Sequence, residues 1–395
     1  MKWVRLLIFV SNNKLNLHQI MTKGYNHPMK LQEVMIKGYK SISFAHPVTL
    51  KLGNVNILLG ANGAGKSNII SFFKMISYMM SRSFEMYVEL AGTANSLLYY
   101  GSKKTPVIAA EMKFADDKSI DTYRFTLSKA SPDRLVITEE NVFWHREGEE
   151  KPYQVIIEPN FKESALVGNK DKVAQSIYKM LSFCKVYQFH DSSTEGPLRQ
   201  ACPIETANYL QSHGNNLPSF LLYLKEYFND SYNRIVNYVR EVIPQFQDFY
   251  LEPVGNNISL RWTDNSASDY VFNAHQLSDG SIRFIALATL LLQPDKTMPS
   301  VIIIDEPELG LHPYAIAQLT EMIKDASIHA QIIIASQSKD LVDYFDIDNI
   351  SIVEMDEKNN CTTVKKLTHK EFDAWLEHYS VSELWDKNII GGRPV

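Results

Sequence analysis

Between residues 31 and 52 apolar and polar side chains alternate, as in Glu33-Val34-Met35-Ile36-Lys37 and Val48-Thr49-Leu50-Lys51-Leu52, with a turn around Tyr39-Lys40-Ser41. A period of two marks a strand with one buried face, so the stretch predicts an antiparallel pair leading into the apolar run Val55-Asn56-Ile57-Leu58-Leu59. Beyond Ser67 the period changes: Ile69, Ile70, Phe73, Ile76 and Met80 fall on one face of a helix packed on that sheet. From 106 to 157, strand-like pieces (107–114, 122–127, 135–138 and 153–157) alternate with polar turns such as Ala115-Asp116-Asp117-Lys118 and predict an antiparallel sheet. From about 171 to 247 the spacing is helical, with Leu217, Phe220, Leu221, Leu224 and Phe228, then Ile235, Val236 and Val239, closed by Pro244. Such a stripe reads as a core-facing surface, and without a sustained heptad it predicts a short helical insert and no coiled-coil arm. Gln276-Leu277-Ser278-Asp279-Gly280-Ser281 is a polar turn ahead of an apolar helix (Ile282, Phe284, Ile285, Ala288, Leu291, Leu292), which Ser278 is placed to cap. Val301-Ile302-Ile303-Ile304 does not alternate. It predicts a parallel strand buried on both faces, expected beside the strand 55–59.

Composition keeps this picture globular: 395 residues, 45% hydrophobic and 22% charged, are enough for two or three layers around a substantial core. A formal charge of −5 argues against wholesale coating of nucleic acid and leaves room for a local basic strip. Cys184, Cys202 and Cys361 are widely spaced, with no CxxC or His cluster, so neither a disulfide framework nor a zinc site is indicated, and a reducing cytoplasm is the natural setting. Met1 to Val10 has a brief apolar run, but Ser11-Asn12-Asn13-Lys14 offers no small-residue cleavage site. Residues 1–28 read as a start-site extension or a loosely held arm, and no segment has the apolar length of a membrane helix.

The chemistry concentrates in Gly60-Ala61-Asn62-Gly63-Ala64-Gly65-Lys66-Ser67, which has the phosphate-loop spacing and lies between a strand and a helix. Its glycines let backbone N–H groups turn toward phosphate oxygens at a helix N-terminus, so Asn62, Gly63, Ala64, Gly65, Lys66, Ser67 and Asn68 are candidate ATP-binding residues. Lys66 would reach the β and γ phosphates and the Ser67 hydroxyl would ligate Mg²⁺. At the end of the run 301–304, Asp305 would hold the Mg²⁺ and Glu306 would polarise the attacking water as general base. Asn169-Lys170-Asp171-Lys172 misses the guanine-reading pattern by one register position, so GTP is not inferred.

Together the phosphate loop, Leu277-Ser278-Asp279-Gly280-Ser281, Ile304-Asp305-Glu306-Pro307-Glu308-Leu309-Gly310-Leu311-His312-Pro313 and Ile332-Ile333-Ile334-Ala335-Ser336-Gln337-Ser338 resemble the ATPase head of the ABC superfamily. More narrowly they resemble its RecF-like and SMC-like branch, the AAA15/AAA_21 bacterial ATPases. Ser382-Glu383-Leu384-Trp385 and Gly391-Gly392-Arg393-Pro394 are similar to the tail of a subfamily of these. The resemblance implies an α/β, ABC-type P-loop ATPase head with a mixed or parallel core sheet, an antiparallel β subdomain on the adenine and ribose side, and the helical insert. The divisions expected are an extension (1–28), a lobe with the phosphate loop (29–170), the insert (171–247) and a lobe with signature, Walker B and tail (248–395).

It further implies a homodimer sandwiching ATP, in which Ser278 and Gly280 of one head act on the γ-phosphate held by the other, with Gly310-Leu311-His312 as the dimer-facing turn. The family has a His sensor where this chain has Gln337, which can orient water or donate to phosphate without carrying charge, so slow turnover is expected. Gln188 is a candidate for the Mg²⁺-facing glutamine and reads equally as an ordinary strand residue. With only some fifty residues after the sensor strand, no fused nuclease domain is expected, and Asp340, Asp343, Asp346 and Asp348 read as helix caps or solvated surface. The function implied is an ATP-dependent clamp or sensor in bacterial antiphage defence or genome maintenance, acting through a separate nuclease or toxin. The alternatives are a DNA-repair head binding duplex through Lys37, Lys40, Lys103, Lys104, Lys365 and Lys366, and an ATP-dependent scaffold with little turnover. A transporter ATPase is disfavoured by the signature and by the missing membrane segments.

Overall fold

A computed structural model describes residues 29–146, 148 and 152–393. The expected arm 1–28 and Pro394 lie outside the described residues. Two six-stranded sheets carry the architecture. The core sheet runs in the order Cys361–Lys366, Ile350–Asp356, Val55–Leu59, Gln331–Ser336, Val301–Asp305, Cys184–Tyr187, and every pairing is parallel except that of the first two strands. The second sheet is wholly antiparallel, in the order Val48–Lys51, Lys30–Lys37, Val107–Ala115, Ser119–Ala130, Arg134–Arg146, Tyr153–Ile157.

The core strands read as unbroken apolar runs because each buries both faces. Leu58, Ile303, Ile333 and Val353 pack on one side, with Ile69, Phe72, Phe73 and Ile76 of the helix Lys66–Met80 and with Phe125 of the antiparallel sheet. Phe72 stacks on Phe125 with ring centroids 6.4 Å apart, so this helix is the filling between the sheets. Ile57, Leu59, Ile302, Ile304, Ile332 and Ile334 face the other way, onto the helices Asp279–Leu291 and Pro313–Ala326 and the pair Leu217–Tyr227 and Asn229–Val242. Leu217, Phe220, Leu221 and Leu224 are buried there, as their spacing requires.

Two expectations are corrected. The strand Val301–Asp305 does not lie beside Val55–Leu59; Gln331–Ser336 runs between them and pairs with both. That strand is as continuously apolar as its neighbours and also needs cover on both faces, which a central position supplies. The stretch 171–247 is not uniformly helical either. After the helix Lys172–Ser182, the short run Cys184–Tyr187 becomes the edge strand of the core sheet, paired with Val301–Asp305. Pairing decides that fate for a piece too short to show a period.

Among the described residues no helix is long and apolar enough to cross a membrane, and the three cysteines are buried and free. The expected acidic caps are in part observed: Asp343 accepts from Ser382 N at 2.8 Å and Asp348 from His369 N at 2.7 Å.

Candidate nucleotide site

Parallel strands deliver their carboxyl ends to one edge of the sheet, and the polar residues that follow three of them converge there. Val55–Leu59 leads into Gly60, where an added Cβ would collide with the Val353 carbonyl. Gly65, at φ 109°, caps the next helix, and a Cβ there would strike Thr362. Thr362 Oγ1 donates to Ala64 O at 2.9 Å and lies 2.7 Å from Ser41 Oγ, which accepts from Asn68 Nδ2 at 2.7 Å. The outer strand Cys361–Lys366 therefore cradles the loop, and the Asn68 side chain serves the loop's own framework.

Lys66 is buried. Its Nζ donates to Gly60 O at 2.7 Å and Ala61 O at 3.0 Å, so its ammonium rests on the loop's own carbonyls. Burial lowers its pKa, opposed by the charges of Glu306, Asp305 and Glu308. Asn62, Gly63 and Ser67 are exposed, and the helix Lys66–Met80 has no side-chain cap and no acidic residue in its first turn. Its first N–H groups are thus open to an anion.

Asp305, ending its strand, is 9% exposed. Gln188 Nε2 donates to Asp305 Oδ2 at 3.3 Å, and His190 Nε2 lies 3.6 Å from the same oxygen. Glu306 follows with φ 43°, the left-handed region that a side chain of this length seldom adopts, and its N–H donates to Ala335 O at 2.8 Å. Strained backbone of this kind persists where its surroundings fix it and concentrates at functional sites. Glu308 is buried: its Oε1 accepts from Ser336 Oγ at 2.6 Å and Gln337 N at 3.4 Å, and Oε2 has no hydrogen-bond partner among the described residues. Burial pushes its pKa up. Glu308 thereby ties the turn after Glu306 to the start of the Gln337 segment.

The hydroxyl of Ser67, the carboxylate of Asp305 and the amide oxygen of Gln188 are hard donors of the kind Mg²⁺ takes, although in this structure Gln188 turns its Nε2 to Asp305. Among the described residues no group of three or more His, Cys, Asp or Glu could hold a metal ion.

Ser278 and Gly280 stand apart. Ser278 is exposed, caps the helix Asp279–Leu291 by accepting from Ser281 N at 3.1 Å, and keeps its hydrogen bonds within that turn among the described residues. Gly280 packs so closely on Gly310 O that a Cβ would not fit.

Two buried arginines, missed in the sequence, tie this turn to the rest. Arg283 donates to Phe189 O (2.9 Å), His190 O (3.0 Å), Ser192 Oγ (3.2 Å) and Leu309 O. Arg199 donates to Ser192 O (2.9 Å), Leu277 O (3.1 Å), Asp279 Oδ1 (2.7 Å) and Ala274 O. The segment after Gln188 is thus joined to the signature turn and to the turn after Glu306. A lone Arg amid Ile282, Phe284 and Ile285 was a readable signal; His190 and Glu308 carried none beyond proximity to a motif.

Four of the six lysines considered as a DNA strip have separate surroundings: Lys40 lies over the Tyr39 ring, Lys104 over Tyr99 and Tyr100, Lys365 pairs with Glu371, and Lys366 lines a cavity with Asp348.

Residues 209–343, which hold the signature turn and both acidic residues at 305 and 306, match the family described as "AAA domain, putative AbiEii toxin, Type IV TA system". No curated protein matches the sequence. Among solved structures the chain is similar to an SMC head bound to the C-winged helix domain of ScpA, at 14% identity and TM-score 0.58, covering 87% of this chain and 99% of that one. It is also similar to the SMC head domain with an extended coiled coil bound to the C-terminal domain of ScpA, from Pyrococcus furiosus, at 14% identity and TM-score 0.54, covering 88% and 99%. Residues 209–343 thus match that AAA family, and the chain as a whole has the fold of an SMC head domain.

Proposed function

We propose that the chain binds and hydrolyses ATP with Mg²⁺ as a dimeric clamp or sensor that controls a separate effector, a nuclease or toxin, in bacterial antiphage defence or genome maintenance. The observation that carries this reading is the convergence of Lys66, Asp305, Glu306 and the Ser336-Gln337 turn at one sheet edge, with Ser278 exposed on another element. On this reading Lys66 exchanges two backbone carbonyls for phosphate oxygens, Ser67, Asp305 and Gln188 hold Mg²⁺, Glu306 takes a proton from water, and Gln337 orients that water. Ser278 and Gly280 complete the partner's site, so ATP joins two heads and its hydrolysis releases them. Gln337 supplies no charge to the γ-phosphate, so turnover is slow and the protein behaves as a switch.

Defence is supported by the toxin–antitoxin wording of the matched family, and a separate partner by the ScpA domains on the similar SMC heads. Three free buried cysteines suit the cytosol.

Light scattering of Glu306→Gln protein, with and without ATP and Mg²⁺, tests the clamp. The expected result is an ATP-dependent doubling of mass or a larger assembly, abolished by adding Lys66→Ala. A mass indifferent to ATP removes the clamp and favours the scaffold.

A further inference from the structure

The last described segment is built into the nucleotide site. The helix Val381–Asp386 starts with a capping box between Ser380 and Glu383, and Leu384, Trp385 and Ile390 are buried in the core. It is fastened to the short helix Lys339–Val342 and its cap, just after Gln337: Asp386 pairs with Lys339 at 2.6 Å and Asp343 accepts from Ser382 N at 2.8 Å. The chain then turns through Asn388, Gly391 and Gly392, all at positive φ, and reaches the phosphate loop. There Ala61 N donates to Gly392 O at 3.1 Å, and Gly392 N donates to Glu354 Oε2 at 3.0 Å. Gly392 has φ 78°, and an added Cβ would stand 2.7 Å from Ile352 Cγ2, so both conformation and space call for glycine. Arg393 Nη1 closes the turn on Asp386 O at 2.6 Å.

The Gly60–Ala61 peptide unit is thus held on both sides, its N–H by the tail and its carbonyl by Lys66 Nζ. We propose that Gly392, anchored by Glu354, is a positioning residue for nucleotide binding: it fixes the first turn of the phosphate loop from the same chain, and with it the resting place of Lys66. The inference rests on the ATP-binding reading above. A tail that merely seals the core would affect stability; one that shapes the loop sets affinity for ATP.

The test uses the full chain and the variants Gly392→Val and Glu354→Ala, measuring ATP affinity with a fluorescent ATP analogue and Mg²⁺, turnover, and Tm without nucleotide. Loss of about one hydrogen bond's worth of loop order predicts an ATP Kd and KM raised about tenfold in Gly392→Val and about threefold in Glu354→Ala, with kcat at saturating ATP kept within about twofold. Tm without nucleotide is expected to stay within a few degrees of wild type. Should Gly392→Val not fold, Glu354→Ala decides, since Glu354 is exposed. The proposal is overturned if the wild type binds ATP and the folded variants bind it equally well, or if affinity falls only in step with Tm. Wild-type protein that binds no ATP overturns the nucleotide reading itself, a distinguishable result.

Discussion

Asp305 ends its strand, Gln188 directly follows the parallel strand beside it, and the two meet side chain to side chain, Gln188 Nε2 donating to Asp305 Oδ2 at 3.3 Å. The contact places the segment after the edge strand within reach of whatever Asp305 binds. Arg283 then ties the carbonyls of Phe189 and His190, directly beyond Gln188, to the helix headed by Ser278. A change at Asp305 therefore has a short bonded route to the face that Ser278 presents.

If Gln188 shares Mg²⁺ with Asp305, Gln188→Ala removes an amide oxygen from the ion's surroundings and the hydrogen bond that orients the carboxylate. Loss of such a partner weakens metal affinity or activity about 10–100-fold. ATPase assays across a Mg²⁺ series should show half-maximal turnover shifted upward by at least about tenfold, with ATP binding in excess Mg²⁺ retained. An unchanged Mg²⁺ dependence would return Gln188 to the role of an ordinary strand residue.

How much of this was legible follows from where the information sits. The phosphate loop is contiguous, and its glycines answer collisions with Val353 and Thr362 that only the fold reveals, yet its spacing could be read directly. Burial on both faces made the run 301–304 recognisable as a core strand, while 332–338 entered only as part of the family resemblance. Their order was not legible, because two nearly identical isoleucine-rich runs carry no mark of which one pairs with Val55–Leu59. Cys184–Tyr187 falls inside a stretch that reads as helical, and only Gln188 at its end carried a strand reading, because four residues are too few to show a period. Arg199 and Arg283 act mainly on backbone carbonyls, which every residue has, so no pattern of residue types announces their partners. The contact of Gly392 with Ala61 is of the same kind: a backbone bond between distant segments leaves only the glycine as a trace.

Asp121 gives a pH prediction away from the site. It is buried in the antiparallel sheet, its Oδ1 has no hydrogen-bond partner among the described residues, and burial, reinforced by the charge of Asp116, raises its pKa from 3.8 to about 7. A carboxyl whose folded pKa lies above its unfolded value binds its proton more tightly when folded. Its stabilising contribution is therefore full below 3.8 and is lost as pH rises through about 7. Asp121→Asn keeps the shape and removes the charge, so it should be neutral below about pH 4, increasingly stabilising as pH rises toward about 7, and stabilising at pH 8 by about 1–3 kcal/mol, the cost of an unsatisfied buried polar group. Thermal melts of both proteins from acid to pH 8 should diverge as pH rises; parallel curves would show that Asp121 finds solvent or a cation when ionised.

Ser278 separates a cap from a contact with a second head. As a cap it accepts from Ser281 N, and replacing a capping Ser costs about 1 kcal/mol, small against the stability of a domain. If it also meets the γ-phosphate held by a partner, a long cation at 278 blocks the approach of the two heads while leaving the phosphate loop of its own chain intact. In the Glu306→Gln background, Ser278→Arg is therefore expected to bind ATP within about twofold of its parent yet remain at monomer mass by light scattering. Ser278→Asn is the matched control, since Asn caps as well as Ser and adds no charge; its helix should be as stable as the parent's. A Ser278→Arg protein that doubles in mass on ATP would rule out the shared site, leaving Ser278 as a helix cap alone and the paired arrangement without its trans-acting residue.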